Sequence, residues 1–165
     1  MKRILNSNEN KKQIMKLKIL VGNGRKIGLF TLPFLIVGIP LNIISPKFFS
    51  VNGTSGFLFW ISLFFLIVGF INWIWTVALI LTKIPRKELI TTGPYAIVKH
   101  PLYAGVALLV LPWAGFMFNT WLGVVLGIVV YIGSRIFSPE EEKLLSRIFG
   151  VEWENYSKKV KFPGI

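Results

Sequence analysis

The sequence predicts an all-α polytopic membrane protein, with four transmembrane helices followed by a C-terminal cytoplasmic amphipathic helix. Three observations support this fold class: 53% of the 165 residues are hydrophobic, the mean hydropathy is +0.63, and the apolar residues are concentrated in four runs. A helix needs about 17–25 apolar residues to cross the hydrocarbon core of a bilayer. The four runs are close to that length, and they are 27–44, 57–81, 102–118 and 121–137.

The first apolar run follows a polar, lysine-rich segment of more than twenty residues. A secretory signal peptide would instead begin its apolar stretch after a short basic start, so we expect this run to be retained as a helix. The chain then divides into a basic cytoplasmic tail at 1–26, a four-helix membrane domain at 27–137 and a C-terminal cytoplasmic segment at 138–165.

Basic residues separate the ends of the runs into two classes. Eight lysines and arginines lie in residues 1–26 and four lie in the loop 82–100, whereas the loop 45–56 has only Lys47 and the turn 118–120 has none. Because lysine and arginine accumulate on the cytoplasmic side of membrane proteins, we expect both termini and the loop 82–100 to be cytoplasmic. The net charge of +12 therefore borders the membrane and does not indicate nucleic-acid binding.

Individual residues predict features of the first two helices and their connection. Pro33 and Pro40 are tolerated in a membrane helix and should bend it. Asn72 is polar within an apolar run, so we expect it to form an interhelical hydrogen bond. Asn52 precedes a glycine, which predicts a turn in the loop after the first helix.

The third and fourth runs are joined by only three residues, 118–120. Helices joined by so short a turn pack as antiparallel neighbours, so the start of the third helix and the end of the fourth should meet at one end of the bundle. This brings together two polar clusters. They are Tyr95, Lys99, His100 and Tyr103 before and within the third helix, and Arg135, Glu140, Glu141 and Glu142 at the end of the fourth.

The segment after the fourth run has a pattern typical of a new helix. Ser138 is a suitable N-cap, Pro139 occupies the first helical position and Glu141 stands three residues after the cap. Leucines and isoleucines then recur at helical spacing, and Gly150 predicts the C-terminal end.

The first cluster surrounds the only histidine of the chain. Pro101 fits the first position of the third helix and His100 its N-cap, where free N–H groups and the helix dipole favour an anion. Lys99 adds positive charge. The alternative is a membrane anchor in which the lysine extends to the headgroups, the tyrosines lie in the interfacial belt and the histidine bonds to a backbone carbonyl.

The acidic triplet also allows two interpretations. Carboxylates in the first turn of a helix complement its dipole, but three adjacent ones repel each other, so one of them is expected to face a cation. An anion-binding helix start opposite a carboxylate suits a ligand with a carboxylate, an ammonium and a further positive centre, as in S-adenosylmethionine. The chain has no cysteine and no aspartate, which leaves too few ligands for zinc and excludes a Ser-His-Asp triad.

The segments TTGPYAIVKHPLYAG (91–105) and EEKLLSRIFGVEWENYSKKV (141–160) together resemble the signature of the isoprenylcysteine carboxyl methyltransferase and phospholipid methyltransferase superfamily. The resemblance covers roughly the C-terminal half. The matching positions are Gly93, Pro94, Tyr95, Lys99, His100, Pro101, Tyr103, Glu141, Glu142, Leu144, Phe149, Gly150, Trp153 and Tyr156. Lys99 stands where the family has an arginine, and the family arginine before the glutamate pair has its nearest counterpart in Arg135, two positions early.

The resemblance implies that this chain is an integral membrane methyltransferase. It implies that S-adenosylmethionine is bound by Tyr95, Lys99, His100, Pro101, Tyr103, Glu141 and Glu142, with Glu141 and Arg135 as catalytic residues and no metal. The acceptor is expected to be lipophilic and to enter from the bilayer, either an isoprenylcysteine or similar carboxylate or a phospholipid amine. The alternatives are an NADPH-dependent enzyme resembling the sterol reductases, which share a similar C-terminal pattern, and a non-enzymatic membrane module.

Overall fold

The structure, a computed structural model, describes the backbone of residues 2–53 and 55–160 and the side chains of 23–53 and 55–160. Within these ranges the chain forms helices and turns, without strands. The α-helices are α1 (Lys2–Ile44), α2 (Pro46–Phe49), α3 (Gly56–Lys83), α4 (Pro101–Gly105), α5 (Leu111–Met117), α6 (Leu122–Phe149) and α7 (Val151–Lys159). Short 3₁₀ turns form at Ile84–Arg86 and Gly93–Ala96, and a π turn, Val106–Val110, joins α4 to α5.

Three segments are long and apolar enough to cross a membrane: Asn23–Ile44, Gly56–Arg86 and Leu122–Phe149. The helical segment Pro101–Met117 is also apolar but shorter. Large apolar side chains are exposed on the outer surface of the long helices, for example Ile36 at 63% and Phe57 at 76%. Such surfaces are stable against lipid chains and fit an integral membrane protein.

Helix α6 lies between α1 and the segment formed by α4 and α5, and α3 packs on the other side of that segment. The α5–α6 contact is so close that a Cβ on Gly123 would lie 2.1 Å from the Leu111 carbonyl oxygen, and one on Gly127 would lie 2.4 Å from that of Ala107. From Gly123 to Gly127 along α6, the contacted residue moves back along the chain from Leu111 to Ala107. The two helical segments are therefore antiparallel. The predicted hairpin is confirmed.

The bundle has two ends with different chemistry. At the basic end lie the residues around Asn23 in α1, the loop 84–100, the acidic triplet of α6 and helix α7. At the opposite end, residues 42–53 meet the turn 118–121. Here Thr120 Oγ1 donates a hydrogen bond of 2.8 Å to Asn42 Oδ1, and the Trp121 ring stacks on Phe49 with centroids 4.9 Å apart.

Two local predictions for α3 and its connection are confirmed. Asn72 Nδ2 donates an interhelical hydrogen bond of 3.1 Å to the carbonyl oxygen of Pro101. Asn52 and Gly53 have φ angles of 62° and 93°, the left-handed backbone of the predicted turn.

The predicted helix start at Ser138 is wrong. Helix α6 continues through Pro139 to Phe149 as one element of 28 residues, so Ser138 does not cap a helix and Glu141 has no capping role. A proline inside a helix removes one hydrogen bond and crowds the carbonyl four residues earlier, and contacts from α1 stabilise the helix here. The end at Gly150 is confirmed, with φ at 52°, and α7 follows it.

The basic N-terminal tail is also continuous with a helix. Helix α1 comprises 43 residues and includes both Pro33 and Pro40. The boundary predicted between residues 26 and 27 therefore falls inside a helix, as does the one between residues 137 and 138. Secondary structure marks no break at either position.

Candidate active site at the basic end

A cavity at the basic end is enclosed by α3, α4, α6, α7 and the loop 84–100. Its polar lining comes chiefly from Glu88, Tyr95, Lys99, His100, Tyr103 and Glu141, and its apolar lining includes Ile80, Leu145 and Trp153. Gly24 of α1 completes the wall on one side. Charged and aromatic groups thus surround a space that faces both the loop and the apolar helices.

His100 stands at the start of the helical segment Pro101–Met117, as the sequence predicts. It occupies the N-cap position, its side chain makes no cap hydrogen bond, and Pro101 follows as the first helical residue. The Asn72 amide bonds to the Pro101 carbonyl and attaches this helix start to α3. First-turn N–H groups that lack helical partners can bind an anion here.

Lys99 and His100 contact the same carboxylate of α6. Lys99 Nζ lies 3.4 Å from Glu142 Oε2, and His100 Nε2 lies 3.3 Å from Glu142 Oε1. The Lys99 and His100 side chains are only 8% and 4% exposed. The Lys99 ammonium also lies 5.9 Å from the centre of the Trp153 ring. This burial contradicts the anchor interpretation, in which the lysine would extend to the headgroups.

Glu141 points to the cavity and is the least satisfied member of the triplet. Its side chain is 16% exposed, and its Oε2 lies 3.9 Å from His100 Nδ1, beyond hydrogen-bond distance. That oxygen is buried and has no hydrogen-bond partner among the described residues. Because a buried unpaired carboxylate oxygen is costly, this atom is suited to a positive ligand group or a proton.

The remaining carboxylate, Glu140, turns away from the cavity. It pairs with Lys26 of α1, and both side chains are largely exposed. The three adjacent carboxylates therefore have three different environments: a surface ion pair for Glu140, the cavity for Glu141 and a buried cation pair for Glu142.

Helix α7 forms one wall of the cavity through Trp153 and Tyr156. The Tyr156 hydroxyl donates a hydrogen bond of 2.8 Å to the Tyr95 carbonyl oxygen, and Trp153 and Tyr156 are buried together with Val160. Burial raises the pKa of the Tyr95 and Tyr156 hydroxyls above their ordinary range, and the negative charges of Glu141 and Glu142 respectively add to this. Both phenols therefore remain neutral and can donate hydrogen bonds at neutral pH.

Three of the predicted site residues do not line the cavity. Glu142 lies beside it, where it pairs with Lys99 and contacts His100. Pro101 is buried behind His100, with its carbonyl bonded to Asn72. Arg135 is exposed on α6 and is absent from the cavity wall. No group of three potential metal ligands occurs among the described residues.

The sequence reasoning missed the contribution of α1. Asn23 is 2% exposed and its Nδ2 donates a hydrogen bond of 3.1 Å to the Phe137 carbonyl oxygen, next to the acidic triplet. The sequence feature that could have indicated this contact is an asparagine four residues before the first apolar run, close to Lys26. Nothing local in the sequence indicates that it faces α6.

The comparisons with known proteins agree with this geometry. None of the curated proteins matches the chain. The sequence model of the phospholipid methyltransferase family matches residues 56–152, which is more than half of the chain and includes α3, the cavity loop and the acidic triplet. The chain therefore belongs to the phospholipid methyltransferase family, within the superfamily of integral membrane methyltransferases that also contains the isoprenylcysteine carboxyl methyltransferases.

Proposed function

We propose that the protein transfers a methyl group from S-adenosylmethionine to the amine of a membrane lipid, in the cavity at the basic end. The observation that carries this proposal is the buried Glu141 Oε2, which has no hydrogen-bond partner among the described residues and lines the same cavity as His100. The Glu141 carboxylate and the helix start at His100, which attracts anions, therefore lie next to each other in the cavity wall. S-adenosylmethionine carries charges of both signs and complements this arrangement.

The residues present fit this cofactor. The start of the segment Pro101–Met117, with Lys99 and His100 beside it, would hold the cofactor carboxylate. Tyr95 and Tyr103 would line its binding site. Glu142 neutralises Lys99 and orients His100, and Glu141 would face positive charge. When bound, the cofactor supplies the methyl group from its sulfonium centre.

The role of the chain is mainly to align the two reactants and to exclude water. An amine acceptor is an ammonium ion at neutral pH and must lose a proton before its nitrogen lone pair can form the new bond to carbon. Glu141 Oε2 is the group that would accept this proton. The bond between carbon and sulfur breaks as the new bond forms, and its electron pair stays on sulfur.

An amine suits the cavity better than a carboxylate does. Two carboxylates line the cavity, Glu88 and Glu141, while Lys99 and His100 would already be engaged by the cofactor carboxylate and by Glu142. A carboxylate acceptor would meet repulsion from both acids, and the predicted catalytic role of Arg135 belongs to that alternative. The family assignment does not favour an NADPH-dependent reductase.

The proposal includes a topology in which the basic end is cytoplasmic and Pro101–Met117 is a fourth, short span. The concentration of lysine and arginine at the basic end supports this orientation. At 17 residues the fourth segment is about 26 Å long, somewhat less than the roughly 30 Å hydrocarbon core. The water-soluble cofactor and the lipid would then meet at the membrane surface, with residues 1–26 and 138–165 on the cytoplasmic side and the latter completing the cofactor site.

Calorimetric titration of the purified protein with S-adenosylhomocysteine tests the cofactor. We expect saturable binding that is lost in His100→Ala, strongly weakened but measurable at high ligand concentration in Glu141→Ala, and retained in Thr120→Val, a variant at the opposite end. Binding of NADPH instead, or of neither compound, would contradict the proposal.

Transfer of a labelled methyl group tests the acceptor. Vesicles containing phosphatidylethanolamine should become labelled, whereas an isoprenylated cysteine with a free carboxylate should not. The Arg135→Ala variant should label the amine as the unaltered protein does. Labelling of the carboxylate alone, with loss in Arg135→Ala, would reverse the choice of acceptor.

A further inference from the structure

We propose that Asn23 of α1 is a positioning residue that fixes the Glu141 carboxylate in the cavity. Asn23 lies outside the segment 56–152 that matches the family. This inference rests on the proposed function and adds to it a contribution from the N-terminal helix.

The first observation is the burial of the Asn23 amide at the critical turn of α6. Its side chain is almost fully buried and donates to the Phe137 carbonyl, which in a regular helix accepts from the N–H of Glu141. Two residues after Phe137 comes Pro139, which has no N–H and weakens this part of the helix. Asn23 therefore adds a second donor to the Phe137 carbonyl and ties this weakened turn of α6 to α1, one turn before Glu141.

The second observation concerns the Glu141 carboxylate itself. Burial disfavours its charged form, and the nearby Asn23 amide acts in the opposite direction by favouring that form, while the Oε2 atom remains without a partner among the described residues. The amide that bonds to the backbone of α6 thus also lies near the carboxylate carried one turn later.

The third observation is that neighbouring residues of α1 fix its register on α6. Lys26, almost one turn later, pairs with Glu140. A Cβ on Gly24 would lie 3.8 Å from the Tyr103 hydroxyl, so α1 forms part of the cavity wall next to Asn23. The position of Glu141 therefore depends on α1 through the Phe137 carbonyl one turn before it and the Glu140 side chain directly before it.

A double-mutant cycle on S-adenosylhomocysteine affinity separates positioning from general stabilisation. Asn23→Ala should weaken binding up to about tenfold, as expected for loss of one buried hydrogen bond that positions the carboxylate. In a Glu141→Gln background the same substitution should weaken binding by about twofold or less, because the carboxylate that it positions is gone.

Asn42→Ala is the matched control. Asn42 is also an asparagine of α1 that bonds across helices, to Thr120, but at the opposite end. It should leave the affinity unchanged in both backgrounds. Asn23→Asp serves as the second variant: it conserves shape, yet should weaken binding more than Asn23→Ala because a second carboxylate would repel Glu141.

The outcomes distinguish this inference from the proposed function. If the unaltered protein binds S-adenosylhomocysteine and Asn23→Ala costs the same factor with and without Glu141, the positioning role is overturned and the proposed function remains. The same conclusion follows if Asn23→Asp binds as well as the unaltered protein. If the unaltered protein does not bind, the proposed function and this inference both fail.

Discussion

The two ends of the bundle are stabilised by different interactions. At the opposite end, neutral groups satisfy one another: Thr120 bonds to Asn42, and Asn119 Oδ1 accepts from the Gly53 N–H at 3.0 Å. At the basic end the buried groups are ionic, and Lys99 and His100 share the carboxylate of Glu142. Buried ions cost more to desolvate than amides and hydroxyls.

The difference indicates that the basic end is less stable than neutral groups would make it, because its buried charged groups are needed for binding or catalysis. Neutral caps are sufficient to end helices at a membrane surface, as residues 42–53 and 118–121 demonstrate. A buried ion pair, and beside it a carboxylate oxygen without a partner in the described part of the chain, exceed what helix ends require. We therefore expect substitutions at the basic end to affect both folding and binding, and those at the opposite end to affect folding alone.

The largest effect is expected for Glu142→Gln. Removing this charge leaves the buried Lys99 ammonium without its carboxylate, and breaking such a pair costs about 3 kcal/mol of unfolding free energy. Thermal unfolding in detergent measures the loss. The neighbouring Glu140→Gln is the control, because its exposed pair with Lys26 contributes less than about 1 kcal/mol. Equal losses in the two variants would contradict the contrast between buried and exposed pairs.

An intermediate effect is expected for Gly105→Ala. Its Cβ would lie 2.3 Å from Asn72 Nδ2, so the amide must move away from the Pro101 carbonyl that supports the helix start at His100. Such overpacking costs about 2 kcal/mol, and unfolding together with S-adenosylhomocysteine affinity measures it. Gly28→Ala, with open space around its Cβ, should not be destabilised. A stable, fully binding Gly105→Ala protein would contradict the role of the Asn72 bond.

A smaller effect is expected for Thr120→Val. The substitution removes the hydrogen bond to Asn42 and the acceptor for the Leu122 N–H, with a cost of about 1 kcal/mol. Unfolding should become easier, while the affinity for S-adenosylhomocysteine should stay unchanged. A loss of affinity here would show that the two ends are coupled.

The smallest effect is expected for Glu88→Gln. The hydrogen bond from Lys83 holds the pKa of Glu88 below its ordinary value, so its contribution is present at neutral pH and is lost as the pH falls through the lowered pKa. Because Glu88 is exposed, solvent screens this contribution. The pH dependence of unfolding between neutral pH and pH 4 should match that of the unaltered protein, and a clear difference would indicate a buried role.

The sequence predicted the helices and the two ends because both depend on simple patterns. The apolar runs gave the approximate positions of the helices, the three-residue turn predicted the α5–α6 hairpin, and the His-Pro pair predicted the helix start at Pro101. Each depends on residues close together in the chain. The sequence predicted that Asn72 forms an interhelical hydrogen bond, because a polar side chain in an apolar helix requires a partner, but it did not predict that the partner is the Pro101 carbonyl.

The continuation of α6 through Pro139 could not be predicted from local residues. Ser138, Pro139 and Glu141 form a typical helix start, but the donor on Asn23 is 114 residues from Phe137 and favours a continuous helix instead. For the same reason the three carboxylates could not be distinguished from the sequence. Their environments depend on Lys26, His100 and Lys99, which reach them through tertiary packing.

The contact of Asn23 and Lys26 with α6 has a consequence for the exchange of segments between relatives. The match to the family model covers residues 56–152, and a chimaera that transplanted only this stretch would separate Phe137 and Glu140 from their partners. A functional graft should include residues 23–26 from the same parent. If a chimaera with a first helix from another parent regains activity when only residues 23–26 are changed back, these residues together with the transplanted stretch are the smallest transferable unit of the enzyme.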